Sequence, residues 1–557
     1  MLFSLAGFFF WLIYLIIGFY GFIFKYIYLD FLFFAIHSLS YMLSNFFPEK
    51  SERDDYLTRR FVNDGVIENK TFGNVFVGSD VWNCGPQENR TWKWILHSFS
   101  FLDPIISVGE YDVVFKLVRS WEDQFSRSSV EEDFPWHDHA TALRLDRLSR
   151  VALLFPQSEH TELATQHADL LMRDDFYSKY TNHGFDQALS LILASLAFPN
   201  AEAANSWRQL GLARLAGEIH FAFTKEGVHV ENSPAYHFGM IGNMLRARRL
   251  LHASGHASAD FDQHFDKALR FLIWITRPDR FMAYIGDSAG YRPSVHPELA
   301  DLPSAPLVEW VSTGGRAGVE PIGNFEVYEE SGYAAYRSSW QGWPGHTHIV
   351  MKSGFLSPYH RQDDDLNVLV HAYGEDWLID SGLYSHNRLD PVRVYMRSAR
   401  AHNVPFVYGA KIDRTNFGPE FSSLKKIDVP GFPYAVQAET RMYQSGLVTR
   451  GLLIKDQDYF SIRDNFTGYE GLPRYWIFHV PKDKKLELHG GVVNIIGKQK
   501  TMVVSPSELG LPVTFHLGFK QKFPSVTSTA MNKLDDSRAI VFGPFWGDLM
   551  KFDFQFS

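Results

Sequence analysis

The texture of the chain changes near Gly314-Gly315, and that change limits the folds open to it. From about residue 50 to 320, apolar residues recur at three- and four-residue spacing, as in Asp186–Phe198, Ala204–Phe223, Gly239–Ser254 and Asp260–Thr276. This spacing lines one face of a helix, and turn signals such as Pro199-Asn200 separate the segments. After the glycine pair the runs are short and β-branched or aromatic: Glu326–Ser338, His346–Lys352, Leu366–Ala372, Trp377–Ile379, Val448–Ile454 and Tyr459–Asp464. They predict antiparallel strands. Helices followed by strands give an α+β multidomain chain: stacked helical hairpins, as in an incomplete α/α barrel, then an antiparallel β-sandwich.

A chain of 557 residues exceeds one ordinary core. The expected division is 1–48 as a membrane-anchor segment, 49–320 as the helical domain and 321–557 as the sandwich. Residues 1–24 carry no charge and are long enough to span a bilayer. Lys25 and Asp30 then interrupt, and 31–47 form a second, shorter apolar stretch. No basic n-region or small-residue cleavage site marks a removable signal peptide. One or two anchoring helices are expected, placing the remainder at the cell envelope, on its periplasmic or outer side; Lys25, Lys50, Arg53, Arg59 and Arg60 offer too little contrast to fix the topology. The alternative is a buried helix pair of the soluble part.

The net charge of −9 argues against a general nucleic-acid surface, so an acidic ligand requires a locally basic cleft. Cys84 is the only cysteine, which excludes an intramolecular disulfide and a cysteine metal cluster.

Three histidine-bearing phrases carry the chemistry: Asn182-His183-Gly184, Ser233-Pro234-Ala235-Tyr236-His237 and Tyr359-His360-Arg361-Gln362-Asp363. They offer an amide, a phenol and an imidazole. Such a set suits removing a proton beside a carboxylate better than activating water for hydrolysis. A glycoside hydrolase would need two carboxylates ~5 to 9.5 Å apart, and only Glu231 with one of Asp363–Asp365 offers itself.

In order, the phrases Glu231–His237, His360–Asp365, Trp377–Gly382 and Ser398–Asn403, with Asn182-His183-Gly184 before them, resemble the heparinase II/III-like polysaccharide lyases, a family that includes heparin, heparan sulfate and oligoalginate lyases. The resemblance runs from about residue 90 to the end and implies an α/α toroid followed by an antiparallel β-sandwich. It implies β-elimination of a uronic-acid-containing glycan, with an acidic polysaccharide as partner. Asn182 and His183 would mask the carboxylate, and Tyr236 and His360 would move the protons. The sequence does not decide which of the last two is the base. A free tyrosine titrates near ~10, so as a base Tyr236 needs cationic neighbours such as His183, His237, His360 and Arg361.

Substrate contacts are expected from His137, His139 and Arg144, in the phrase Trp136–Arg144, and from His237, Arg361 and Arg397; Arg393 and Arg400 could add positive charge. No cofactor is required for the chemistry. The family resemblance also implies a structural, zinc-like divalent ion, with Gln362, Asp380 and His402 at the comparable positions. Gln362 departs from the pattern, since an amide oxygen is a poorer zinc ligand than imidazole. Asp380 and His402 could instead pair with each other. A non-catalytic glycan-binding or exopolysaccharide-assembly protein on the same fold is the other open reading.

Overall fold

The computed structural model describes residues 50–126, 134–155, 160–387 and 389–557. The expected anchor in 1–48 lies outside the described residues. Among the described residues no helix is long and apolar enough to cross a membrane.

The chain packs as two compact units. One runs to Glu218 and includes Arg249–Ala257; the other comprises Ile219–Arg248 and Ser258–Ser557.

In the first unit a small hairpin, Val66–Asn69 with Gly73–Phe76, precedes a series of helices. The helix Asn182–Ala197 is its centre: every residue from Gly184 to Ser195 is buried, because its sequence is apolar nearly all round. It packs beside Asp138–Leu154, joined at Ser190 Oγ, which donates to Ala142 O at 2.8 Å. Trp82, Trp92, Trp121 and Trp136 fill a neighbouring core. Full burial of such a side chain contributes roughly 2–3 kcal/mol.

Among the described residues, three antiparallel sheets build the second unit. The largest has eight strands in the order Lys485–His489, Val492–Ile496, Thr501–Pro506, Leu549–Phe556, Tyr459–Thr467, Leu447–Ile454, Tyr434–Thr440, Ser422–Lys426. A five-stranded sheet runs from Phe325–Tyr328 through Tyr333–Arg337, His348–Lys352 and Asn367–Ala372 to Glu375–Leu378. Its central strands are buried at every position, because both faces are covered. Ala334, Tyr336, Ile349 and Val368 share a core with residues of the eight-stranded sheet, among them Val436, Ile462 and Phe552. On the opposite face Ala335, Val350 and Leu369 pack with Leu269, Leu272 and Met244 of the helices Ala259–Ile275 and Pro234–Ala253. Two covered faces explain near-continuous apolar strands without alternation.

Candidate functional site

In the second unit the phrases carrying Tyr236 and His360 are brought together by backbone stitching. Ser233 precedes the helix Pro234–Ala253, and Pro234 at its first position has no N–H to leave unpaired. Asn232, held at φ 56°, donates from its side-chain amide to Ser357 O and Tyr359 O, both at 2.9 Å, and accepts from Leu356 N. This sets the ring of Tyr236 against that of His360, with centroids 3.7 Å apart and planes at 27°. His360 itself sits at φ 52°, a conformation that costs about 1 kcal/mol or more and persists only where surroundings impose it.

Beneath the pair lies Asp287, 1% exposed and absent from the sequence reading. Arg393 clamps it through two bonds of 2.6 Å, Gln362 Nε2 donates to it at 2.6 Å, and His360 Nδ1 lies 3.0 Å from its Oδ2. Burial disfavours its charge, but bonds from His360, Arg393 and Gln362 outweigh burial and hold it at about 2. Its signal in the sequence is faint: an acid between small residues, Gly286-Asp287-Ser288, after an apolar run. The glycine is required there, since at φ 59° an added Cβ would meet Asn232 O at 2.7 Å. Ser288 Oγ and Ser233 Oγ lie 2.9 Å apart, which ties this turn to the start of the Tyr236 helix. On the opposite side of His360, Nε2 faces Glu231 Oε2 at 3.6 Å, beyond hydrogen-bond range.

The cationic field expected around Tyr236 is reversed. Burial, then Asp287 and Glu231, push its phenol up to about 12, against a smaller opposing effect of Arg393. His237 supplies no charge: burial drives it down to about 3, and it is spent between His229 N and Ala268 O. Arg361, 3% exposed, donates to Asn416 O and Asp413 O and lies over Phe355, so it offers no surface to a ligand. Arg397 is half-buried and donates to Arg361 O at 3.1 Å. Asp363, Asp364 and Asp365 are all buried. Arg414 holds the first, Lys352 the second, and Gly354 N with Thr440 the third. None is free to act as a second carboxylate with Glu231.

Two of the expected ion ligands pair with each other, and the third bonds Asp287 through its amide N–H. His402 Nδ1 and Asp380 Oδ2 bond each other at 3.0 Å, Asn367 also donates to Asp380, and Gln362 is engaged with Asp287. Among the described residues no three His, Cys, Asp or Glu side chains gather as they would to hold a metal. Burial disfavours a charged His402, but Asp380 outweighs it and the imidazole is held above its ordinary value. Gln362 Oε1 and His402 Nε2, the atoms that would face an ion, are buried without a hydrogen-bond partner.

The first unit holds the remaining candidates. Thr181 caps the helix: its side chain accepts from Gly184 N at 3.2 Å, leaving Asn182 as the exposed first residue. A helix N-terminus favours anions. His183 Nδ1 lies 3.0 Å from Asp138 Oδ2, His137 Nδ1 lies 3.0 Å from Asp138 Oδ1, and Ser178 Oγ also donates to Asp138. Burial opposes ionisation of Asp138, but these neighbours hold it well below the usual carboxylate range. His139 is buried, bonds Asp186 at 2.9 Å and stacks on His183 at 4.1 Å, so it supports that ring. Arg90, missed in the sequence, donates to His137 Nε2 at 2.9 Å. Arg144 is a correction. It is wholly buried against Trp121 at 3.9 Å and donates to His167 and His97 O, so packing claims it and no substrate can reach it.

The family description Heparinase II/III N-terminus matches residues 47–300, and Heparinase II/III-like, C-terminal matches 321–537. The chain belongs to the heparinase II/III-like family. It is 23% identical over 383 residues to a heparin-sulfate lyase of Pedobacter heparinus, covering 63% of this chain and 58% of that protein. It is 24% identical over 273 residues to a heparin-sulfate lyase of Bacteroides thetaiotaomicron, covering 43% and 38%. The match therefore spans less than two thirds of either curated relative. The fold is similar to that of a solved heparan sulfate lyase mutant from Pedobacter heparinus, with TM-score 0.71 and 19% identity over 91% of this chain and 83% of that one.

Proposed function

We propose that the chain is a polysaccharide lyase that cleaves a uronic-acid-containing glycan by β-elimination. The observation that carries this is the stacked Tyr236–His360 pair, a phenol and an imidazole in one pocket with a buried carboxylate behind the imidazole. His360 takes the proton from C5 of the uronate. Electrons from that C–H bond form the C4–C5 double bond, and the bond to the leaving glycosidic oxygen breaks. Tyr236, held protonated by its surroundings, gives its proton to that oxygen. The imidazolium and tyrosinate left behind exchange a proton to restore the resting pair. Asn182 and His183 are assigned the masking of the uronate carboxylate, for which an exposed amide at a helix N-terminus and a carboxylate-supported imidazole are suited. A positioned donor of this kind is worth about 3 kcal/mol by analogy with oxyanion holes.

The helices of the first unit are taken as part of an incomplete α/α toroid, and residues 1–48 as an anchor holding the enzyme at the cell envelope. No step of this elimination is assigned to a metal. Hydrolysis is disfavoured by the engagement of Asp363, Asp364 and Asp365 in buried pairs. The test is the ultraviolet absorbance of the unsaturated uronate, which elimination makes and hydrolysis does not. It should rise with the intact enzyme and not with Tyr236→Phe or His360→Ala.

A further inference from the structure

Asp287 does not face the solvent, yet four bonds from three side chains converge on its two oxygens. We propose that Asp287 is the positioning residue of the lyase centre, fixing His360 in the tautomer that carries its proton on Nδ1 and leaves Nε2 as the basic atom. This rests on the elimination proposed above and adds to it a residue and an atom.

The chemistry follows from who can donate. Arg393 and Gln362 Nε2 can only donate, and between them they occupy Oδ1 twice and Oδ2 once. A carboxylate that accepts two parallel guanidinium bonds and an amide N–H has no proton to offer. The 3.0 Å contact to Oδ2 is then made by an N–H on His360 Nδ1. In the neutral ring Nε2 is therefore unprotonated, and its nearest charged neighbour, Glu231, stands 3.6 Å off and makes no bond to it. When Nε2 takes a proton, Asp287 and Glu231 flank the resulting imidazolium. The planar guanidinium of Arg393 fixes the carboxylate's rotation through its two parallel bonds. The Ser233–Ser288 contact ties the Asp287 turn to the helix that bears Tyr236. Acid and base are thus spaced from one support.

The test uses the full chain with 15N-labelled histidine, the His360 signal being identified by its loss in His360→Gln. Two variants are compared with the unaltered protein: Asp287→Asn, and Asp287→Asn with Arg393→Gln, which leaves no buried guanidinium unpaired and keeps the test open should the single variant fail to fold. The expected result in the unaltered protein is a single Nδ1–H tautomer for His360. In the variants the tautomers mix, and kcat falls about 100-fold or more while KM moves less than about threefold. A comparable carboxylate-to-amide change in the serine-protease triad leaves geometry intact and costs ~10⁴ in kcat through the wrong tautomer. An Nε2–H tautomer in the unaltered protein, an unchanged tautomer in a folded variant, or kcat retained within about threefold overturns the proposal. The tautomer needs no substrate to be read, so a protein with the expected His360 signal and no elimination on any glycuronan defeats the lyase function and leaves the positioning intact.

Discussion

Tyr236 is a phenol whose burial and carboxylate neighbours hold it protonated, with an upward shift to about 12. In the proposed reaction that makes it the acid and His360 the base, a division the sequence left open. Replacing Tyr236 by Phe keeps the ring that stacks on His360 and removes only the hydroxyl. Elimination should fall by roughly 10²–10⁴, while thermal unfolding shifts little. An equal loss of stability and activity would show that the hydroxyl serves packing. The same surroundings explain why residue-level roles were only partly legible. The phrases beginning at His360 and Ser398 are recognisable, but much of their charge is structural. Asp363, Asp364 and Asp365 are consumed in buried pairs, and Asn403 spends its amide on Val368 O, Ile379 O and His479 N. Asp287 was invisible because nothing in Gly286-Asp287-Ser288 reports that three distant side chains converge on it.

At the scale of elements, the helix Asn182–Ala197 shows how a motif and its support are inseparable. Gly184 is the third residue of the Asn182 phrase because the chain passes close: an added Cβ would meet Ser178 O at 2.5 Å and Glu218 Oε1 at 2.6 Å. Gly184→Ala should cost about 1–3 kcal/mol by overpacking, and Thr181→Ala about 1 kcal/mol by removing the cap, both measurable by chemical denaturation. Gly184→Ala should also lower activity, because Ser178 donates to the Asp138 that supports His183. Helix and strand periods predicted most of these elements within a few residues. Glu326–Ser338, expected as one run, is instead a hairpin of Phe325–Tyr328 and Tyr333–Arg337. The small hairpin Val66–Phe76 was missed, since four-residue strands leave little period to read. Texture also differs from packing: helices such as Ala259–Ile275 bury their apolar faces on strands and belong to the same compact unit as the sheets.

For the whole molecule, stability should fall in acid for a stated reason. Burial pulls His97 and His237 down to about 3 and His479 to about 4. In the unfolded chain these imidazoles take protons near pH ~6.5, so below that value the unfolded state binds more protons and stability declines. The slope is about 1.4 kcal/mol per pH unit for each histidine until its folded value is reached. His402, held high, acts in the other window: its contribution is fully present below pH ~6.5 and is lost only as pH rises above it, so it does not offset the acid decline. Denaturation midpoints between pH ~4 and ~7 check this, and a flat profile would contradict it. Residues 1–24, without charge, should carry the full chain into the membrane fraction, and a chain beginning at residue 49 should leave it. The central claim is tested most directly by incubating the protein with a panel of glycuronans and following the ultraviolet absorbance of the new double bond. A rise on at least one uronate polymer, lost in Tyr236→Phe and in His360→Ala, is the predicted result. New reducing ends without that absorbance, or a rise undiminished in both variants, would contradict it.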